Sequence, residues 1–277
     1  MKISRTSKIF TYTILMIGSV FIGIPFYLTI VSTFKSPAQM SRNFFAPPSG
    51  LYLENIQIIL SKPDYFLALK NTVVITVFSL ALMALFLPMA AYPISRRMGT
   101  SKGYKFMYYF MVAGIFIPFQ VKMMPLVKVM NEVGLLNRTG IIILYLAGST
   151  CEGIFLYVGY LASIPNDLEE AAYIDGAGTA GTFFKIITPL IKPMTATVLI
   201  KNGLWVWNDF FMPSLVLNRS AAYKTLPLFQ YTFKTEYAVD YTLAFTAFLF
   251  SMLPVMLLYF FLQKHIIGGI VSGAVKG

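Results

Sequence analysis

Residues 167–193 read DLEEAAYIDGAGTAGTFFKIITPLIKP, a polar interval set between long apolar runs and too ordered in its residue choices to be a plain connector. Asn166 or Asp167 is placed to cap a short helix, whose first turn carries Glu169 and Glu170 beside the positive end of the helix dipole. Leu168, Ala171, Ala172 and Asp175 follow at i, i+3, i+4 and i+7 and make one narrow face, largely of small residues. Such a face fits deep in a groove of another protein. Gly176 ends the helix, because a residue without a Cβ takes the left-handed conformation that a C-terminal cap needs. A second short helix is expected from Thr179 to Ile187, stopping before Pro189, and Pro193 opens the next apolar run.

The flanking runs set the class. The chain has 277 residues, 57% of them hydrophobic and 12% charged, too few charges to cover a soluble globule of that size. This composition describes an integral membrane protein. The formal charge of +11 invites a nucleic-acid reading, but the Lys and Arg are scattered between apolar runs and form no basic stripe; anionic lipid headgroups explain them more simply. One cysteine, Cys151, excludes an internal disulfide, and with one histidine, His265, no Cys/His metal site can be built.

Six apolar runs, at about 9–34, 71–94, 104–120, 139–162, 194–217 and 241–262, predict an all-α polytopic membrane protein with six transmembrane helices in a single transmembrane domain, 1–277. The first follows Lys2, Arg5 and Lys8; it is too long for a signal-peptide core and lacks a cleavage site. The third is interrupted by Pro118 and followed by Pro125, so its outer end is expected to kink or break. An even number of spans puts both termini on one side. The charge bias is weak overall, but Arg96, Arg97, Lys102 and Lys105 crowd one short loop and mark it as cytoplasmic, which also places 163–193 and both termini there.

The residues at 170–189 carry a resemblance. Glu170-Ala171-Ala172, Gly176, Ile186 and Pro189 resemble, at their spacing, the EAA loop of ATP-binding-cassette importer permeases, with Thr188 where a leucine is usual. Ile117-Pro118-Phe119-Gln120, Pro125 and Gly134-Leu135 continue the likeness. Trp207-Asn208-Asp209 and the end Gly273 to Gly277, after Gln263-Lys264, are similar to the carbohydrate permeases of the maltose-transporter type, second permease subunit. The resemblance covers the chain from Asn71 onward. It implies a cytoplasmic coupling helix seated in an ATPase cleft, with Glu169, Glu170, Ala171, Ala172, Asp175, Gly176, Ile186 and Pro189 as ATPase-coupling residues. It implies as partners a homologous second permease, two ATPase subunits and an extracytoplasmic sugar-binding protein, in the plasma (inner) membrane of a bacterium. The chain is then a transport subunit and no enzyme. It binds no cofactor; ATP and Mg belong to the partner ATPase subunits. In keeping with this, Gly99-Thr100-Ser101-Lys102-Gly103 has the composition of a phosphate loop but neither its spacing nor a preceding strand.

Ionisable groups inside a membrane are costly and mark function. Glu152 falls within the fourth span, and Lys201 and Asp209 within the fifth. Asp209 stands with Trp205, Trp207, Asn208 and Phe210, aromatic faces beside amide and carboxylate groups. That combination suits a sugar, whose C–H face stacks on a ring while its hydroxyls need fixed partners. No cluster of charge suited to a charged ligand is evident. Glu152, Trp205, Trp207, Asn208, Asp209 and Phe210 are therefore the candidate substrate path of an oligosaccharide such as an α-galactoside or malto-oligosaccharide. Three alternatives stay open for these residues. Trp205 and Trp207 also fit an interfacial aromatic belt, Asn208-Asp209 a hydrogen bond to a partner helix, and Glu152 a pair with Lys201. For function, a permease for another solute such as a phosphodiester, an ion-coupled carrier using Glu152, Lys201 and Asp209, and a membrane enzyme acting on lipid-linked sugars are the other readings. The aromatic loop from Asn218 to Asp240, with Tyr223, Phe229, Tyr231, Phe233 and Tyr237, is placed by the resemblance near the binding protein; a re-entrant or headgroup-bound loop is the other reading of its residues.

Overall fold

A computed structural model describes residues 5–217, 220–233 and 240–274; Lys2, Asn218, Tyr237 and the last three residues of the C-terminal run lie outside the described residues. Every regular element among them is helical. In chain order these are α1 (Arg5–Thr33), α2 (Pro37–Arg42), α3 (Glu54–Ser61), α4 (Pro63–Arg97), α5 (Lys102–Ile115), α6 (Phe119–Glu132), α7 (Arg138–Leu161) and α8 (Asp167–Ile174). Then follow α9 (Thr179–Thr182), a π-helical turn (Phe183–Ile187), α10 (Thr188–Leu190), α11 (Lys192–Asn208), α12 (Phe211–Val216), a 3₁₀ turn (Ala221–Tyr223), α13 (Leu226–Tyr231) and α14 (Tyr241–Ala274).

Within α1 the segment Ser7–Thr33, and all of α4 and α7, are long and apolar enough to cross a membrane. Two further apolar stretches are broken. The run expected over 104–120 is divided between α5 and α6, which bend by 105°, because Pro118 sits between them in an extended conformation (φ −58°, ψ 144°) and offers no N–H to continue the helix. The run expected over 194–217 is α11 as far as Asn208, with a 72° bend against the helix that precedes it and a second break at Asp209 before α12. The run expected over 241–262 lies in α14, which continues to Ala274.

By their internal contacts the residues fall into two compact units. One is drawn from 1–66 and 228–256. In it the buried Asn55 side chain donates to the carbonyls of Thr33 (3.0 Å) and Lys35 (2.8 Å), satisfying the end of α1 that no further helical turn can reach. Lys35, itself buried, donates in turn to the carbonyls of Asn43 (3.1 Å) and Phe44 (2.9 Å). The Phe44 ring meets Tyr241 and Phe245 edge-on at 6.1 and 5.9 Å.

The other unit, drawn from 67–227 and 257–277, carries the sites considered below. Its core is formed by α4, α7 and α11, around fully buried Met83, Leu87, Ile141, Tyr145, Tyr157, Leu161 and Val198. Lipid tails are as apolar as these side chains, so close packing and interhelical hydrogen bonds hold such helices together, at about 0.6 kcal/mol for a typical bond. Tyr157 donates its hydroxyl from α7 to Thr195 Oγ1 of α11 at 3.0 Å. Near the start of α4, Asn71 donates to the carbonyls of Ala222 (2.9 Å) and Lys224 (2.8 Å). Its neighbour Thr72 accepts from the Leu226 N–H at 2.9 Å. Arg138 closes the same segment from the start of α7, donating to the Ala222 carbonyl at 3.0 Å and lying 5.0 Å from the centre of the Tyr223 ring.

Two glycines of α7 are there for lack of space. Asn137 caps the helix by accepting from the Gly140 N–H at 3.1 Å, and a Cβ on Gly140 would lie 1.8 Å from the Leu135 carbonyl oxygen. A Cβ on Gly153 would meet Leu87 Cδ1 at 2.7 Å. A side chain can turn aside and a backbone carbonyl cannot. Gly153→Ala is therefore expected to destabilise by about 1–3 kcal/mol, the range for overpacking, and Gly140→Ala by more, because it displaces the capped turn. Thermal unfolding of the detergent-solubilised variants measures the ranking; equal midpoints would contradict it.

Candidate functional site

The stretch at 167–193 folds as two short helices joined by a tight turn. α8 ends in a pair of reversed hydrogen bonds, Ala177 N–H to the Ala172 carbonyl at 2.9 Å and Gly176 N–H to the Tyr173 carbonyl at 3.1 Å, with Gly176 at φ 81°. This is the Schellman termination, and it needs the left-handed residue that glycine supplies without strain. The helix has two faces. Glu169 and Ala172 turn inward and are buried, whereas Asp167, Glu170, Ala171 and Ile174, at i, i+3, i+4 and i+7, turn outward. Ile174 is 86% exposed. The face of small residues read from the sequence is thus divided, with Ala172 packed against its own chain and Ala171 presented outward beside Glu170 and Ile174. Asp175 is exposed at the C-cap.

Glu169 is the brace. Its Oε1 accepts from Arg96 Nε at 2.6 Å and its Oε2 from the Tyr92 hydroxyl at 2.5 Å, so the carboxylate of α8 is held by two residues one turn apart near the end of α4. Arg96 also donates from Nη1 to the Leu161 carbonyl at 2.9 Å, at the end of α7, where that carbonyl also accepts from the Ile164 N–H at 3.0 Å. The ends of α4 and α7 and the body of α8 are therefore joined through one guanidinium. The Tyr92 ring packs at 5.3 Å on Phe183, the first residue of the π turn. Between these elements lies a cavity of about 540 Å³ lined by Arg96, Arg97, Tyr104, Tyr173 and Phe184 among others.

Pro189 accounts for the π turn. Its ring has no N–H to give to the carbonyl of Lys185 and clashes with it in a regular helix, and a π bulge relieves that crowding. Thr188 fits the distortion: its backbone N–H and its hydroxyl (2.9 Å) both donate to the Phe183 carbonyl. Ile187 is fully buried beneath the turn, Ile186 half-buried and Pro189 exposed.

A second site lies where α11 breaks. Asp209 leaves the helix in an extended conformation (φ −71°, ψ 124°). Its Oδ1 accepts from the N–H groups of Phe211 (3.0 Å) and Met212 (3.4 Å), which opens α12, and its Oδ2 accepts from the Tyr145 hydroxyl of α7 at 2.9 Å. The Tyr145 ring stands edge-on to Trp205, 5.2 Å away at 82°. Around this break is a cavity of about 560 Å³ lined by Lys122, Gly148, Trp205, Asn208, Asp209 and Phe210, with further apolar side chains.

Four of the six residues proposed from sequence for the substrate path thus meet at one cavity. The other two lie elsewhere: Trp207 is buried, and Glu152 forms an ion pair with Lys201, both side chains close to half exposed. Lys122, Tyr145, Tyr92 and Arg96 escaped the sequence reading as site residues. Lys122 left a legible sign, a lone cation in an otherwise apolar stretch; the other three become significant only through partners 64 to 77 positions away. No group of three His, Cys, Asp or Glu among the described residues is placed to hold a metal.

Known proteins resemble this chain along most of its length. The family model of the binding-protein-dependent transport system inner membrane component matches residues 87–271. The multiple sugar-binding transport system permease protein MsmG of Streptococcus mutans is 42% identical over 278 residues, covering 99% of this chain and 99% of that protein. The probable starch degradation products transport system permease protein AmyC of Thermoanaerobacterium thermosulfurigenes is 35% identical over 252 residues, covering 91% of each. Among solved structures, a bacterial ABC transporter involved in the import of the acidic polysaccharide alginate has a chain that superposes with a TM-score of 0.82 at 24% identity, over 95% of this chain and 98% of that one; the likeness is one of fold.

The brace makes a quantitative demand. Removing either partner of a buried ion pair strands the other and costs about 3–5 kcal/mol, whereas removing both costs less than the sum. Glu169→Ala and Arg96→Ala are each expected to lower the thermal midpoint strongly, and the double variant to fall short of additivity. Additive losses in a double-mutant cycle would show that the pair is not coupled.

Proposed function

This chain belongs to the family of binding-protein-dependent transport system inner membrane components, and from that premise we propose that it forms half of the translocation path of an ATP-driven carbohydrate importer. It is a multi-pass protein of the inner membrane and a transport subunit, not an enzyme. Separate ATPase subunits, two per assembly, bind and hydrolyse ATP with Mg; a second, homologous permease completes the path; an extracytoplasmic binding protein delivers the sugar. The whole chain, 1–277, acts as one permease domain with six spans, both termini and residues 163–193 facing the cytoplasm.

The observation that carries this reading is the two-faced geometry of α8. A helix fixed by a buried carboxylate on one side, and showing Glu170, Ala171 and an 86% exposed Ile174 on the other, is a rigid apolar-tipped knob that calls for a partner. A conformational change is driven only by differential affinity between two states. Nucleotide-dependent contact at Glu170, Ala171, Ile174 and the exposed Asp175 supplies that difference, and Ile186 and Pro189 hold the second helix under the knob. Carbohydrate as cargo is supported by the permeases for multiple sugars and for starch degradation products that resemble this chain. It is supported also by the cavity at Trp205, Asn208, Asp209 and Phe210, which offers a ring and polar partners to a pyranose.

Ile174→Asp removes the apolar tip without touching the brace. In proteoliposomes holding the complete transporter it is expected to lower ATP-driven oligosaccharide uptake roughly tenfold or more, as for an anchor residue worth about 2 kcal/mol at an interface, with the purified chain still folded. Uptake equal to wild type would remove α8 as the gripped element.

A further inference from the structure

The cavity at the α11 break contains a charged group that is bonded to none of the described residues. Lys122 stands on the first turn of α6 and lines the cavity with Trp205, Asn208 and Asp209. Its ammonium makes no hydrogen bond or ion pair with any described residue, unlike Lys128 on the same helix, which lies 4.0 Å from Glu132. Asp209 is already engaged, both oxygens accepting from Tyr145 and from the start of α12. Asn208 donates from Nδ2 to the Leu204 carbonyl at 2.8 Å, which leaves its carbonyl oxygen as an acceptor. The cavity therefore presents an indole face, one amide acceptor and one ammonium with three donors.

The geometry points to Lys122 as a specificity-determining contact that donates hydrogen bonds to the oxygens of a neutral oligosaccharide stacked on Trp205; this role rests on the carbohydrate-import reading given above. Neutrality follows from charge. Lys122 and Asp209 line the same cavity with opposite sign, so a sugar carboxylate that gains at Lys122 loses at Asp209, whereas a neutral sugar pays no such penalty. The indole sits close against Gly148: a Cβ there would lie 3.1 Å from Trp205 Cη2, so even alanine would require the ring to give by a few tenths of an ångström.

The test uses the complete transporter, with its partner permease, ATPases and binding protein, in proteoliposomes. Uptake of maltotriose, raffinose, melibiose and digalacturonate is measured for the wild type, Lys122→Ala, Lys122→Gln and the control Lys128→Ala, with co-elution of all subunits confirming assembly. Lys122→Ala is expected to lower uptake of the neutral probe about tenfold or more, the range for a hydrogen bond to a charged donor. Lys122→Gln, which keeps N–H donors and loses the charge, stays within about threefold of wild type on the same scale, and Lys128→Ala is unchanged. Three outcomes overturn the proposal: Lys122→Ala indistinguishable from Lys128→Ala, Lys122→Gln as weak as Lys122→Ala, or a wild type that carries none of the neutral probes. Uptake that persists without ATP or without the binding protein defeats the importer reading instead, and the contrast between Ala and Gln still judges Lys122.

Discussion

A carboxylate withdrawn from water between a guanidinium and a phenol is the interaction on which the arrangement around α8 depends. Glu169 is buried to 8% exposure, and its two oxygens are matched by Arg96 and Tyr92. Stranding either ion would cost about 3–5 kcal/mol, a large part of the 5–15 kcal/mol or so by which a domain is stable at all. The pair between Lys201 and Glu152, by contrast, leaves both side chains close to half exposed. α8 is tied to the end of α4 through Glu169, and the same Arg96 ties α4 to α7 through its bond to the Leu161 carbonyl.

The same economy of polar groups shapes the cavity. Backbone N–H and C=O groups at membrane depth have to be satisfied by the protein itself, so a helix breaks only where a side chain takes over. At the end of α11 that side chain is Asp209, which supplies acceptors for the first N–H groups of α12 and is itself steadied by Tyr145. A carboxylate so occupied is foremost a structural device, and the polar groups that line the cavity beside it are Asn208 and Lys122, around the Trp205 ring. The cavity of about 560 Å³ lies at this break.

A good deal of this was legible in the chain itself. The apolar runs, Pro118 inside the third of them, and the glycine after Asp175 predict helices, a break and a cap, and these follow from local chemistry: a missing N–H, a missing Cβ, a repeat of 3.6 residues. The face that α8 turns outward was not legible in the same way. Periodicity placed Ala171 and Ala172 side by side on one stripe, and nothing local says which of two adjacent glutamates is buried. That choice was made by Tyr92 and Arg96, more than seventy positions upstream. Lys122 likewise sat in plain view as a cation in an apolar stretch, without the partner ring and amide that give it meaning.

What the sequence by itself determined is therefore the class of molecule and its punctuation: an all-helical membrane protein, its likeness to importer permeases, and the places where helices stop. What only the tertiary structure decided is the pairing of charges, Glu169 with Arg96 and Glu152 with Lys201, and the gathering of Trp205, Asn208, Asp209 and Lys122 at one cavity. The physical reason is range. Propensity, capping and hydropathy act over a few residues of chain, whereas the energy of a buried charge depends on which side chains the packing of distant helices brings within about 3 Å of it.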